Sequence, residues 1–103
     1  MFEEKMTIHC FTKEAATSLL RMLAAEGIGW NGGEDPLEFV PFNPRTGTWY
    51  SITRRNSPLR GSILVITYSH SDPHYVGYQR VEYTDLLRVN RAIQSITSIE
   101  AFV

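Results

Sequence analysis

The stretch Met6-Thr7-Ile8-His9-Cys10-Phe11-Thr12, continuing through Lys13 to Gly27 and ending on Ile28-Gly29-Trp30, changes its hydrophobic period twice. From Lys5 to Phe11 the residues alternate, with Met6, Ile8 and Cys10 on one face and Thr7, His9 and Phe11 on the other. A period of two is the signature of a strand. Thr12 then suits an N-cap, because its hydroxyl can accept from a free backbone N–H of the next turn. Over Lys13–Glu26, Ala16, Leu19, Leu20 and Leu23 recur at helical spacing, with Glu14, Ser18 and Arg21 opposite them. Gly27 suits the position just past the helix, where a positive φ costs glycine little. Ile28-Gly29-Trp30 reads as a short strand returning from the helix. The unit is β-α-β.

Working outward, Asn31-Gly32-Gly33-Glu34-Asp35-Pro36 is a turn by composition. Leu37 to Phe42 reads as a brief extended segment interrupted by Pro41 and Pro44. Thr46-Gly47 is a second turn, and Thr48 to Arg55 alternates again with β-forming residues. After the turn Asn56-Ser57-Pro58, the run Ile63-Leu64-Val65-Ile66-Thr67-Tyr68 within Ser62–Tyr68 predicts a central strand covered on both faces. Ser69 to Tyr75 is a connection, and Tyr78 to Tyr83 a further strand. Thr84-Asp85 opens a second helix whose stripe is Leu86, Val89, Ile93 and Ile96. Ile99 to Val103 is a last short strand or a packed tail.

The expected fold is therefore α+β: β-α-β followed by an antiparallel β-meander, with two helices packed on one face of a four- to five-stranded sheet. Residues 1–103 form one domain. The other sheet face would carry Thr, Tyr, Arg and Trp side chains.

Composition narrows the class. A hydrophobic fraction of 43% and a charged fraction of 20% are globular values and exclude disorder as the default. Cys10 is the single cysteine, which rules out an intrachain disulfide and a multi-cysteine zinc site. Its plain reading is a small buried hydrophobe. No stretch approaches the 18 or so apolar residues of a membrane span. The acidic start Met1-Phe2-Glu3-Glu4-Lys5 is unlike a signal peptide, so the expected location is the cytoplasm.

Known catalytic signatures are missing. There is no phosphate loop ending in Gly-Lys-Ser/Thr, no Gly-x-Ser-x-Gly and no His-Glu-x-x-His. Gly27-Ile28-Gly29 ends a helix where a dinucleotide fingerprint would begin one. His9 and Cys10 are neighbours on a strand, so they point to opposite faces and make no nucleophilic pair. No enzyme class, catalytic residue or cofactor is indicated. His70, Asp72 and His74, in His70-Ser71-Asp72-Pro73-His74, are weak candidates for a divalent metal, and with it for a metal-dependent hydrolase. Their plain reading is an exposed loop after the central strand.

Charge is the better lead. Residues 1–40 hold three bases against seven acids, and residues 41–103 hold seven against four. Between Pro41 and Gly61 there are Arg45, Arg54, Arg55 and Arg60 and no acid. Turn geometry could gather these guanidinium groups at one end of the sheet, beside Trp49 and Tyr78. Arginine forks match carboxylate and phosphate, and aromatic faces beside them suit stacking or a protein interface. The candidate binding residues are Arg45, Trp49, Arg54, Arg55, Arg60 and Tyr78. The same residues also describe a solvated hairpin end over core aromatics. A net charge of −1 argues against a broadly basic footprint for bulk nucleic acid. The acidic loop Glu34-Asp35 to Glu38 could pair with the arginines of a second copy, giving a homo-oligomer.

Two groups of short motifs carry a resemblance. Residues 15–30, AATSLLRMLAAEGIGW, are followed by Thr48-Trp49-Tyr50-Ser51-Ile52, Ile66-Thr67-Tyr68, and Gly77-Tyr78 through Glu82-Tyr83-Thr84-Asp85-Leu86-Leu87. Over roughly residues 7–87 the chain resembles small uncharacterised bacteriophage accessory proteins. This chain continues past the point where that pattern ends, from Arg88 to Val103. The resemblance implies a non-catalytic binding protein that blocks a host enzyme or antiviral defence complex, or that sequesters a nucleotide second messenger. It brings no catalytic residues with it.

Overall fold

The computed structural model describes residues 2–88. Its elements are β1 (Met6–Cys10), α1 (Lys13–Ala25), β2 (Gly29–Trp30), β3 (Thr48–Ser57), β4 (Gly61–Ser69) and β5 (Gln79–Glu82). Residues 83–88 are helical and begin the second helix. The expected continuation of that helix through Val89, Ile93 and Ile96, and the expected last strand Ile99–Val103, lie outside the described residues.

The β-α-β unit forms as its periodicity predicts. Thr12 is the N-cap of α1, in an extended conformation, and its Oγ1 accepts the Ala15 N–H at 3.1 Å. Gly27 takes φ +79°, the Gly27 N–H bonds Ala24 O, and the Ile28 N–H bonds Leu23 O at 2.9 Å. These two bonds close the helix with a Schellman motif, and Ile28 and Leu23 are both in the core beside it. Ala16, Leu19, Leu20 and Leu23 are the buried stripe of α1.

The five strands form one mixed sheet in the order β2-β4-β3-β1-β5. β3 pairs antiparallel with β1 and with β4, while β2 runs parallel to β4 and β5 parallel to β1. β1 and β2 therefore point the same way with the β3–β4 hairpin inserted between them. The α+β class with a five-stranded sheet is what the sequence predicts, and the strand order adds two features. The centre of the sheet is β3, not the apolar run of β4. The antiparallel run ends at β4, because β5 crosses to the far edge and lies along β1.

α1 covers the face bearing Ile8, Tyr50, Ile52 and Ile66, all fully buried. Each such side chain stabilises the fold by roughly 1.5–3 kcal/mol relative to exposure. Tyr83 and Leu86 join the same core, and the Tyr83 hydroxyl donates to Ser18 Oγ on α1 at 2.5 Å. The start of the second helix thus packs on the α1 side. The 36–42 segment is not a strand. It is held by side chains instead: Trp30 Nε1–H donates to Phe39 O at 3.0 Å, and the Tyr50 hydroxyl to Pro41 O at 2.5 Å. No helix among the described residues is long and apolar enough to cross a membrane.

Candidate binding surface

β3 pairs with β1 only as far as Ile52. From Thr53 to Ser57 its partner is β4 alone, in the register Thr53↔Val65 to Ser57↔Gly61. Val65 still pairs with Gly29 of β2, so the hairpin runs on as a two-stranded arm from Arg54↔Leu64 outward. Its length is about four residues, roughly 14 Å at 3.4 Å per residue. Gly61 takes φ +72° to close the turn, and the Arg60 N–H donates to Ser57 Oγ at 3.3 Å. Leu59 stands at the tip and is 96% exposed.

Three of the expected binding residues lie on this arm. Arg54 and Arg55 are consecutive on a strand, so they project from opposite faces. Arg54 Nε is ion-paired with Glu4 Oε2, and its Nη1 donates to Ser62 Oγ at 3.1 Å. Arg55 Nη1 donates to Asn31 O at 2.6 Å and to Asn31 Oδ1 at 3.0 Å, both neutral acceptors. The Arg60 guanidinium has no partner among the described residues. Tyr78 precedes β5 at the same end of the sheet, where its ring packs on Tyr75 with centroids 5.0 Å apart. Val76, between them, is 97% exposed.

The other two expected residues are elsewhere. Arg45 lies in the turn before β3, where its backbone N–H donates to Asn43 Oδ1 at 2.9 Å. Trp49 is the second residue of β3 and stacks on His9 with centroids 4.1 Å apart. About five residue steps along β3, roughly 17 Å, separate Trp49 from Arg54, and Arg45 precedes the strand in its opening turn. The four arginines do not converge on one rim. The arm gathers three, and the length of β3 separates the fourth. Leu59 and Val76, the most exposed apolar side chains at this end, escape a reading based on charge and aromatics.

The His70, Asp72 and His74 loop does not assemble a metal site. Asp72 is ion-paired with Arg80 through Oδ2, while its Oδ1 accepts the His74 N–H at 2.9 Å. His70 Nδ1 shares a hydrogen bond with Thr48 Oγ1 at 2.9 Å. Among the described residues no three His, Cys, Asp or Glu side chains are placed to hold an ion. The loop is structural: it has to return along the sheet to start β5, and the Arg80–Asp72 pair ties it on the side away from α1.

His9 and Cys10 are also accounted for. Thr46 O only accepts, so His9 Nε2 carries a proton and donates to it at 3.1 Å. Nδ1 lies 3.0 and 3.1 Å from the Glu82 carboxylate oxygens. Neither ring nitrogen is left to act as a base. Cys10 is fully buried on the opposite face. Burial, with the Glu82 carboxylate adding to it, pushes its thiol up to about 12. A thiol so held is not a nucleophile at neutral pH.

Compared with protein-family models, curated proteins and solved structures, the chain matches none.

Proposed function

We propose that this chain is a non-catalytic binding protein that engages a protein partner through the β3–β4 arm. The observation that carries the reading is the projecting hairpin, with an almost fully exposed leucine at its tip beside Arg60, whose guanidinium has no partner among the described residues. An exposed apolar anchor flanked by arginine is the composition of an interface centre, and it fits an acidic surface with a small apolar pocket. The groups that would suggest chemistry, His9, Cys10, His70 and Asp72, are engaged in holding the fold together. The resemblance to phage accessory proteins would make the partner a host factor, such as an antiviral defence complex, and the chain its inhibitor.

The arrangement gives less support to a nucleotide-sequestering pocket. A groove of about 370 Å³ does lie beside Arg55 and Arg60, but Glu26 and Glu34 line it too and oppose a phosphate. Trp49, one of the aromatics expected beside the arginines, is at the far end of β3.

The test is capture from a bacterial host lysate by wild type and by Leu59→Asp/Arg60→Glu, followed by reconstitution with the purified partner. The proposal expects a partner retained by wild type and at least tenfold weaker with the double variant. Equal retention by both proteins refutes the arm as the contact.

A further inference from the structure

The edge of the sheet away from β5 holds a feature that the arm does not use. Trp30, Phe39 and Tyr68 come from β2, the 36–42 segment and β4, and their rings meet pairwise. The centroid separations are 5.4 Å for Trp30–Phe39, 5.6 Å for Trp30–Tyr68 and 5.9 Å for Phe39–Tyr68, with interplanar angles of 59°, 84° and 76°. Three steeply inclined planes at these separations have the proportions of the corner of a box. Phe39 and Tyr68 line the open groove beside Trp30, and a cation is attracted to a ring face within about 6 Å of its centroid.

The corner opens onto a groove of about 330 Å³. Phe39 is 37% and Tyr68 44% exposed, while Trp30 is buried and forms the floor. The bond from Trp30 Nε1–H to Phe39 O and the packing of Tyr50 against Trp30, with centroids 6.2 Å apart, fix two walls before any ligand arrives. Glu34 lines the same groove, and its carboxylate folds onto the Gly32 backbone, where a Cβ would meet both oxygens at 2.7 Å. Residues 31–40 contain Glu34, Asp35 and Glu38 and no base. Arg55 lines the adjoining groove, and its guanidinium reaches the rim of this one at Asn31, whose O and Oδ1 accept from it at 2.6 and 3.0 Å. Aromatic walls and a carboxylate, with no cation among the lining residues, are the elements of a site for an organic cation.

We propose that this groove binds an N-methylated ammonium group. A corner suits a compact, rounded cation, whereas a flat guanidinium needs a slot between two parallel faces. The group could belong to a free quaternary amine or to a methylated lysine of a polypeptide. The site is independent of the proposed arm contact.

The test is a two-dimensional NMR titration of the whole chain with three probes: tetramethylammonium, a short peptide containing trimethyllysine, and tert-butanol as a neutral near-isostere. Saturable shifts at residues 30–39 and 66–68 are expected with the first probe, at least fivefold weaker with tert-butanol. Equal or tighter binding of the peptide assigns the site to a side chain, and weaker binding assigns it to a free amine. Tyr68→Leu should weaken tetramethylammonium about five- to tenfold, in line with a partly desolvated cation–π contact. Glu34→Gln, on an exposed loop where folding is not at stake, should weaken it as well. The proposal is overturned if tetramethylammonium gives no saturable shift, if tert-butanol matches it, or if Glu34→Gln and a folded Tyr68→Leu both bind like wild type.

Discussion

Gly47 lies against the Nε2 edge of the His9 ring: a Cβ built on it would stand 2.6 Å from His9 Nε2 and 2.5 Å from Cys10 O. Gly47 also has φ +71°, which an L side chain adopts at a cost. The glycine lets the 43–47 turn close against β1, and Thr46 O then receives the His9 Nε2 proton. Gly47→Ala should destabilise the fold by roughly 2–4 kcal/mol, adding backbone strain to a collision with backbone. Denaturant unfolding measures it. Because the ring is one of the two obstacles, Gly47→Ala should cost less in a His9→Ala background, and a strictly additive double-mutant cycle would show that the two residues do not meet.

Cys10 makes the stability of the fold sensitive to alkali. Its folded value of about 12 lies above its ordinary 9.0. Above pH 9 the unfolded chain loses the thiol proton while the folded chain keeps it, so the native state binds more protons. The contribution is present in full below pH 9 and declines as pH rises toward 12, by up to about 1.4 kcal/mol per unit. Other groups titrate in that window, so the readout is the difference from Cys10→Ala, whose stability should fall less steeply between pH 9 and 11. A disulfide-forming aromatic reagent should label wild type at neutral pH only at the rate of unfolding. Rapid labelling of folded protein would show that the thiol is accessible.

How much of this was legible in the sequence follows from how local each feature is. The β1-α1-β2 unit reads directly, because alternation, cap, stripe and glycine stop are all written within one stretch. The place of β5 does not, since β1 and β2 both offer an edge and only tertiary packing chooses between them. Arg54 and Arg55 share a strand, so their divergence to opposite faces was readable, as was the separation of Arg45 from both by the length of β3. Trp30, Phe39 and Tyr68 lie on three segments, and no spacing rule brings them together. Pro36 to Phe42 misleads for a different reason. Its carbonyls are claimed by the Trp30 indole and the Tyr50 hydroxyl, so an extended-looking composition gives a segment pinned by side chains.

The ends of α1 give a graded pair of substitutions. Thr12→Ala removes the acceptor for the Ala15 N–H and should cost about 1 kcal/mol. Gly27→Ala meets no neighbour within 4 Å, so its cost, again about 1 kcal/mol, is confined to the left-handed backbone at φ +79°. Gly27→Asn should recover part of it, because asparagine tolerates that region better. Thermal unfolding reads all three. A Gly27→Ala variant as stable as wild type would mean that the helix ends differently.

The arm makes the opposite kind of prediction, since a surface kept for a partner should contribute little to the fold that carries it. Leu59 is 96% exposed, so Leu59→Ser should change stability by no more than about 0.5 kcal/mol. Ile52, on the same strand but fully buried, is the contrast: Ile52→Ala should cost roughly 2–5 kcal/mol through lost contacts and the cavity left behind. If Leu59→Ser were instead to lower the melting temperature as far as a core truncation does, the tip would already be packed within the folded chain, and an apolar anchor occupied in that way could not serve a partner.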